Sequence, residues 1–277
     1  MKFIRLATIA ALSSTILAGG AVSVLAEEIR EVTTEGQIEF KPAENEELEV
    51  IPPTGPEEGP DVIVDPEVPG TTGPLSILKA ATMNFGSQVI SNQDRDYNMV
   101  AEMQQLRDTE GDENKVPYVS FAQVQDLRGN NAGWDLKVSL SEFTSNTQNN
   151  VLTGAEITFV DSYIDYVGSN QENAPVAHEA GLKLLPNGAG RSVMTAAQMK
   201  GNGASSVVWG DQAELNRRFA DETIEVVENE AIKLSVPGST AKDATTYKAI
   251  LTWELTTTPG EDAGESDPGQ TNPDGDE

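Results

Sequence analysis

Short runs in this chain alternate apolar and polar residues with a period of two. The runs are "LSILKA" (75–80), "YVSFAQVQDL" (118–127), "WDLKVSLSEF" (134–143), "AEITFVDSYIDYV" (155–167), "AIKLSVPG" (231–238) and "YKAILTWELTTT" (247–258). Successive side chains of a strand point to opposite faces, so this alternation predicts strands with one buried face. Gly, Asn, Asp and Pro bound the runs, and "RGNNAG" (128–133) and "PNGAG" (186–190) are turn signals. "SVMTAAQMK" (192–200) and "ADETIEVV" (220–227) offer helical patterns, but both are short. The expected fold class is all-β, a single sandwich or barrel-like domain over residues 75–259. No period of about 20–50 residues points to a solenoid.

The flanks read differently. Lys2 and Arg5 precede a mostly apolar run from Leu6 to Leu17, and "SVLA" ends at the small residue Ala26 before Glu27 and Glu28. That order predicts a secretory signal peptide over 1–26. Residues 27–40 offer a short strand through Val32, Thr33, Thr34, Ile38 and Phe40. Lys41 to Pro74 is rich in Pro, Glu and Gly, and together with residues 27–40 it forms the 27–74 leader to the domain. Such a segment buries too little apolar surface to offset its ordering entropy, which predicts a disordered, extended spacer reaching ~100 Å. Its acidity also suits a basic partner. The acidic stretch 260–277 is expected to be a disordered tail. Inside the spacer, "IPPTG" (51–55) looks like the Leu-Pro-x-Thr-Gly signal by which sortases link proteins to walls. It departs at its first residue, and no apolar segment with a basic tail follows it, so attachment is expected to be non-covalent.

Charge narrows the function further. The formal net charge is −27, which excludes a nucleic-acid binder of the basic kind and disfavours docking on anionic lipid. The chain has no cysteine, hence no disulfide and no thiol nucleophile. No segment after the signal is apolar enough to span a bilayer, so the mature chain is expected to have no membrane span.

Two of the three tryptophans stand in Trp-x-Leu words, at Trp134–Leu136 and Trp253–Leu255. On a strand, Trp134, Leu136, Val138 and Leu140 share one face, and Tyr247, Ala249, Leu251, Trp253 and Leu255 share another. One reading makes both indoles core, each burying roughly 200 Å². The other sets the two strands side by side with the indoles as one aromatic surface for a sugar or peptide, since a pyranose C–H face packs on a flat π system. A mixed arrangement puts one indole inside and one at a rim.

The words do not stand alone. "GQIEF" (36–40), "GPLSI" (73–77), "NFGSQVIS" (84–91), "YVSFAQVQDLRGNNAGWDLKVSLSEF" (118–143), "LTGAEITF" (152–159) and "KLSVPGSTAKDATTYKAILTWELTTTP" (233–259) follow in an order that resembles the WxL-domain surface proteins of low-GC Gram-positive bacteria. The resemblance implies a cell-surface module that binds the wall non-covalently, with peptidoglycan as ligand. It further implies roles in adhesion and in surface complexes containing membrane-anchored partner proteins. The family motif falls on Trp134, Leu136, Trp253 and Leu255. The chain departs from the family pattern in the acidic tail that follows Pro259. Residues 75–259 carry 24 acidic and 14 basic side chains, so anionic teichoic acids should repel the domain, which leaves neutral contacts to glycan or stem peptide, the preferred reading, or bridging by divalent cations.

Other chemistry is thinly represented, and neither a cofactor nor a metal is expected. His178 is the sole histidine, no Gly-x-Ser-x-Gly frames a serine, and no carboxylate pair is singled out for glycoside hydrolysis. "DRDYN" (94–98) begins like a calcium loop, yet Met99 and Gln105 stand where that loop needs Gly and Glu, so a polar turn is the plainer reading. In the "DLRG" turn (126–129), Arg128 either pairs with Asp126 or an acidic neighbour, or holds a stem-peptide carboxylate. The expected protein is a non-enzymatic wall-binding surface protein. An adhesin for a host matrix protein and a secreted carbohydrate hydrolase are the alternatives.

Overall fold

A computed structural model of the chain describes residue 32 and residues 34–42, 49–55 and 59–257. Along the chain come β1 (Val62–Ile63), β2 (Leu75–Lys79), β3 (Arg95–Val100), β4 (Glu102–Leu106), β5 (Lys115–Tyr118), β6 (Ser120–Asp126), β7 (Trp134–Leu140) and β8 (Glu156–Phe159). They are followed by β9 (Tyr163–Tyr166), β10 (Val176–Ala177), β11 (Leu182–Leu184), β12 (Arg191–Ala196), β13 (Gly203–Trp209), the helix α1 (Gln212–Phe219), β14 (Glu228–Val236) and β15 (Leu251–Thr256). The strands form three four-stranded sheets, ordered β10-β12-β7-β15, β11-β8-β14-β3 and β2-β6-β13-β9, and a three-stranded sheet β1-β4-β5. Every strand pairing is antiparallel. The all-β expectation holds, and the alternating runs supply β2, β6, β7, β8, β9, β14 and β15.

The main core collects the inward faces of the three four-stranded sheets. Trp134, Leu136 and Val138 of β7 meet Ile157 and Phe159 of β8, Val207 and Trp209 of β13, and Ile232 and Leu234 of β14. A second core lies on the outer face of β2-β6-β13-β9. There Leu78, Val119, Phe121 and Val208 pack with Leu215 of α1 and with Val50, Val62 and Val64. That sheet is therefore covered on both sides, where alternation alone predicted one wet face.

The covering segment corrects the expected spacer. Within the acidic, Pro-rich stretch, residues 49–55 and 59–64 are docked rather than free. Ile51 exchanges two hydrogen bonds with the side chain of Gln123: its N–H donates to Oε1 at 2.9 Å, and its carbonyl accepts from Nε2 at 2.7 Å. Tyr118 Oη accepts from the Thr54 N–H at 3.0 Å and donates to the Thr54 carbonyl at 2.7 Å. Tyr118 and Gln123 are 0% exposed, so both need partners, and this strap supplies them. Sequence polarity hid this because three well-spaced valines and a few backbone groups suffice to anchor an already extended segment.

Three smaller expectations also change. Residues 34–42 form no strand, and Ile38 and Phe40 are exposed. "SVMTAAQMK" is mainly strand β12, and "ADETIEVV" is not helical. The helix lies instead at 212–219, where Asp211 caps it by accepting from the Glu214 N–H at 3.1 Å, an Asp-x-x-Glu start of the capping-box type. "DRDYN" opens β3 rather than a turn. Its Asp94 accepts from the Gly238 N–H and its Asp96 from the Ser235 hydroxyl. The expected signal at 1–26 and tail at 260–277 lie outside the described residues.

Candidate functional site

The two Trp-x-Leu strands are neighbours. β15 pairs with β7 in a register that sets Trp253 opposite Val138 and Leu255 opposite Leu136. Both words therefore point to the same, inward face of one sheet. Their surroundings differ. β7 is an inner strand between β12 and β15, and Trp134 and Leu136 are 0% exposed. The Trp134 indole Nε1 donates to the Gly201 carbonyl at 3.0 Å. Of the arrangements open from the sequence, an exposed aromatic pair does not occur at Trp134, whose ring and N–H are both spent inside the fold. Gly201 makes this approach possible: its φ is +72°, and a Cβ there would lie 2.7 Å from Trp134 Nε1. β15 is an edge strand, and Trp253 and Leu255 are only partly buried against the core. The arrangement is the mixed one, with one indole inside and one near a rim.

The third tryptophan joins the words to the lone histidine, a link that the sequence reading missed. Trp209 ends "GASSVVW" of β13, a run without period-two alternation whose last six residues are all buried, which is why alternation did not find it. Its ring stacks on Phe159 with centroids 4.7 Å apart and lies 6.2 Å from Trp253. Its Nε1–H donates to His178 Nε2 at 2.9 Å. His178 Nδ1 sits 2.6 Å from the Glu179 carbonyl, which can only accept, so Nδ1 carries the proton and Nε2 receives the indole bond. Burial holds the His178 pKa below its ordinary value, and the Glu179 bond opposes this only in part. Both ring nitrogens are committed to a neutral, packed tautomer.

Arg128 is tied into its own turn. Its Nε and one terminal nitrogen grip both oxygens of Asp126 at 2.9 and 2.7 Å, and that terminal nitrogen also donates to the Gly133 carbonyl at 2.8 Å. Gly133 leads directly into Trp134, so this clamp fixes the entry to β7. Arg128→Lys keeps the charge but loses the fork, and Asp126 is 1% exposed. The expected result is a loss of about 1.5–3 kcal/mol in urea denaturation. Unchanged melting with lost wall binding would instead make Arg128 a ligand contact.

Among the described residues no helix is long and apolar enough to cross a membrane. The geometry defines an all-β domain organised around two paired tryptophan strands. A family model for the WxL domain, described as surface cell wall-binding, matches residues 27–259, and the chain belongs to that family. No curated protein and no solved structure matches the chain. Membership associates the chain with the cell surface and with wall binding.

Proposed function

We propose that this chain is an exported, non-catalytic surface protein that attaches non-covalently to peptidoglycan and supports surface complexes or adhesion. The observation that carries the reading is the match of the whole folded region to a wall-binding family. The non-covalent mode draws support from the strap. The bond that a sortase would need is Thr54–Gly55, and Thr54 is 6% exposed with its N–H, hydroxyl and carbonyl all held by Tyr118. Of the five residues singled out by sequence, Trp253 and Leu255 on the edge strand and Arg128 in its turn are partly exposed, and Arg128 is already spent on Asp126 and Gly133. Trp134, Leu136 and Arg128 hold the scaffold beneath them.

Excess acid on the domain rules against attachment by a basic patch. Contacts to neutral glycan and peptide groups follow. Purified peptidoglycan stripped of teichoic acid is expected to retain the full chain, with little loss as NaCl rises, because screening also relieves repulsion. Collagen and fibronectin are expected to retain none. A steep loss with salt would point to charge pairing, and retention on a matrix protein alone would replace wall binding with host adhesion.

A further inference from the structure

The two sheets that carry β15 and β3 both end at those strands, and their edges do not meet. An open groove of about 1070 Å³ lies between them. Its floor is sandwich interior, with Leu140, Leu234 and Leu251, and Tyr97 and Tyr247 flank it. The segments 83–90 and 242–249 form its walls. It reaches β15 at Leu251, two residues before Trp253 on the same face.

Three observations indicate what the groove holds. First, Val89 and Ile90 stand on its wall 89% and 53% exposed, so no core packing accounts for these two apolar side chains. Second, the lining carries two lysines, Lys242 and Lys248, against one aspartate, Asp243, in a folded region where acids far outnumber bases. Asp243 is already satisfied by the backbone and side chain of Asn149, and the Lys242 ammonium donates to the Ser91, Pro237 and Thr240 carbonyls, so Lys248 is the lining cation left to meet a ligand carboxylate. The groove is thus the acid-poor part of an acidic domain, and it suits a ligand that is neutral along its length with occasional carboxylates. Third, β15 and β3 are both the terminal strands of their sheets, and an edge strand can offer backbone donors and acceptors to the amides of acetamido sugars and short peptides. Small-molecule pockets run to about 1,000 Å³, so a groove at that limit and open to solvent fits a stretch of polymer better than a single small ligand.

We infer that the groove between β15 and β3 is where the domain holds the glycan–peptide polymer of the wall. This deepens the wall-binding reading and rests on it. The test is a double substitution of the exposed wall residues, Val89→Asp with Ile90→Asp, against a control of equal charge, Val68→Asp with Val226→Asp. The control residues are exposed and lie outside the groove. In the full chain, the groove variant is expected to lose about tenfold or more of its retention on stripped peptidoglycan while melting as the wild type does, and the control is expected to bind normally. Without any substitution, soluble disaccharide-peptide fragments are expected to slow amide exchange in 84–91 and 244–251. If the wild type binds peptidoglycan but the groove variant binds equally, or exchange slows elsewhere only, the groove assignment is wrong and wall binding stands. If the wild type does not bind, both fall.

Discussion

Trp134→Ala is expected to destabilise the domain by about 3–5 kcal/mol, read as a shift of the urea midpoint at unchanged slope. The loss has two parts. A fully buried indole leaves a cavity between β7, β12 and the sheets packed over them, and the Gly201 carbonyl loses its donor at 3.0 Å. Trp134→Phe fills part of the cavity but still strands the carbonyl, so it should fall between. Trp253→Ala, on the half-covered edge, should cost roughly half as much as Trp134→Ala, since less surface returns to water. The ordering matters for function. The two words look equivalent on paper, yet loss of wall binding in a Trp134 variant should track unfolding, whereas a Trp253 variant should separate the two. Equal, small stability losses at both positions would mean that neither ring is core and that the paired-strand arrangement is wrong.

The sequence showed the strands well and the layers poorly. Period-two alternation located β7, β14 and β15 because each has neighbours that bury one side. That the two words lie side by side was one of the readings open from the sequence, and the β7–β15 register realises it. Alternation could not say which strand is inner and which is edge, because both present Trp, Leu and a polar partner in the same order. Hence Trp134 and Trp253 read alike. The strap was illegible for a related reason. Composition weighs a whole window, and 41–74 is polar as a window, but docking needs only Val50, Val62, Val64 and the bonds to Tyr118 and Gln123. The polar residue Gln123, buried on an outward face, was a trace of that cover, visible only once both sides of β6 were known. Arg128 was legible as a turn clamp because its partner, Asp126, stands two residues away.

The second large effect concerns a charge pair inside the second core. Lys79 of β2 contacts Glu102 of β4 at 2.7 Å, with side chains 3% and 10% exposed. The ammonium also donates to the Phe121 carbonyl at 3.3 Å and lies 4.4 Å over the Phe121 ring. The pair links the four-stranded sheet of the main core to the small sheet that receives the strap through β1. Burial raises the Glu102 pKa despite the pull of Lys79. Lys79→Met should therefore cost about 3–5 kcal/mol at neutral pH, because it leaves a buried carboxylate without its cation. The pH dependence follows. With Lys79 gone, nothing offsets burial and the folded-state pKa of Glu102 climbs further. Between the unfolded value, near 4.5, and that raised value, the folded state holds a proton that the unfolded chain releases. Stability is then greatest below the unfolded pKa and is lost as pH rises through the folded one, so the deficit of the variant should shrink from pH 8 to pH 5. Lys79→Met with Glu102→Leu removes both charges and should recover most of the loss, an apolar pair being no worse than an ion pair in such a site. A deficit that grows toward low pH, or a double variant no better than the single one, would show that the pair is not what joins the two sheets.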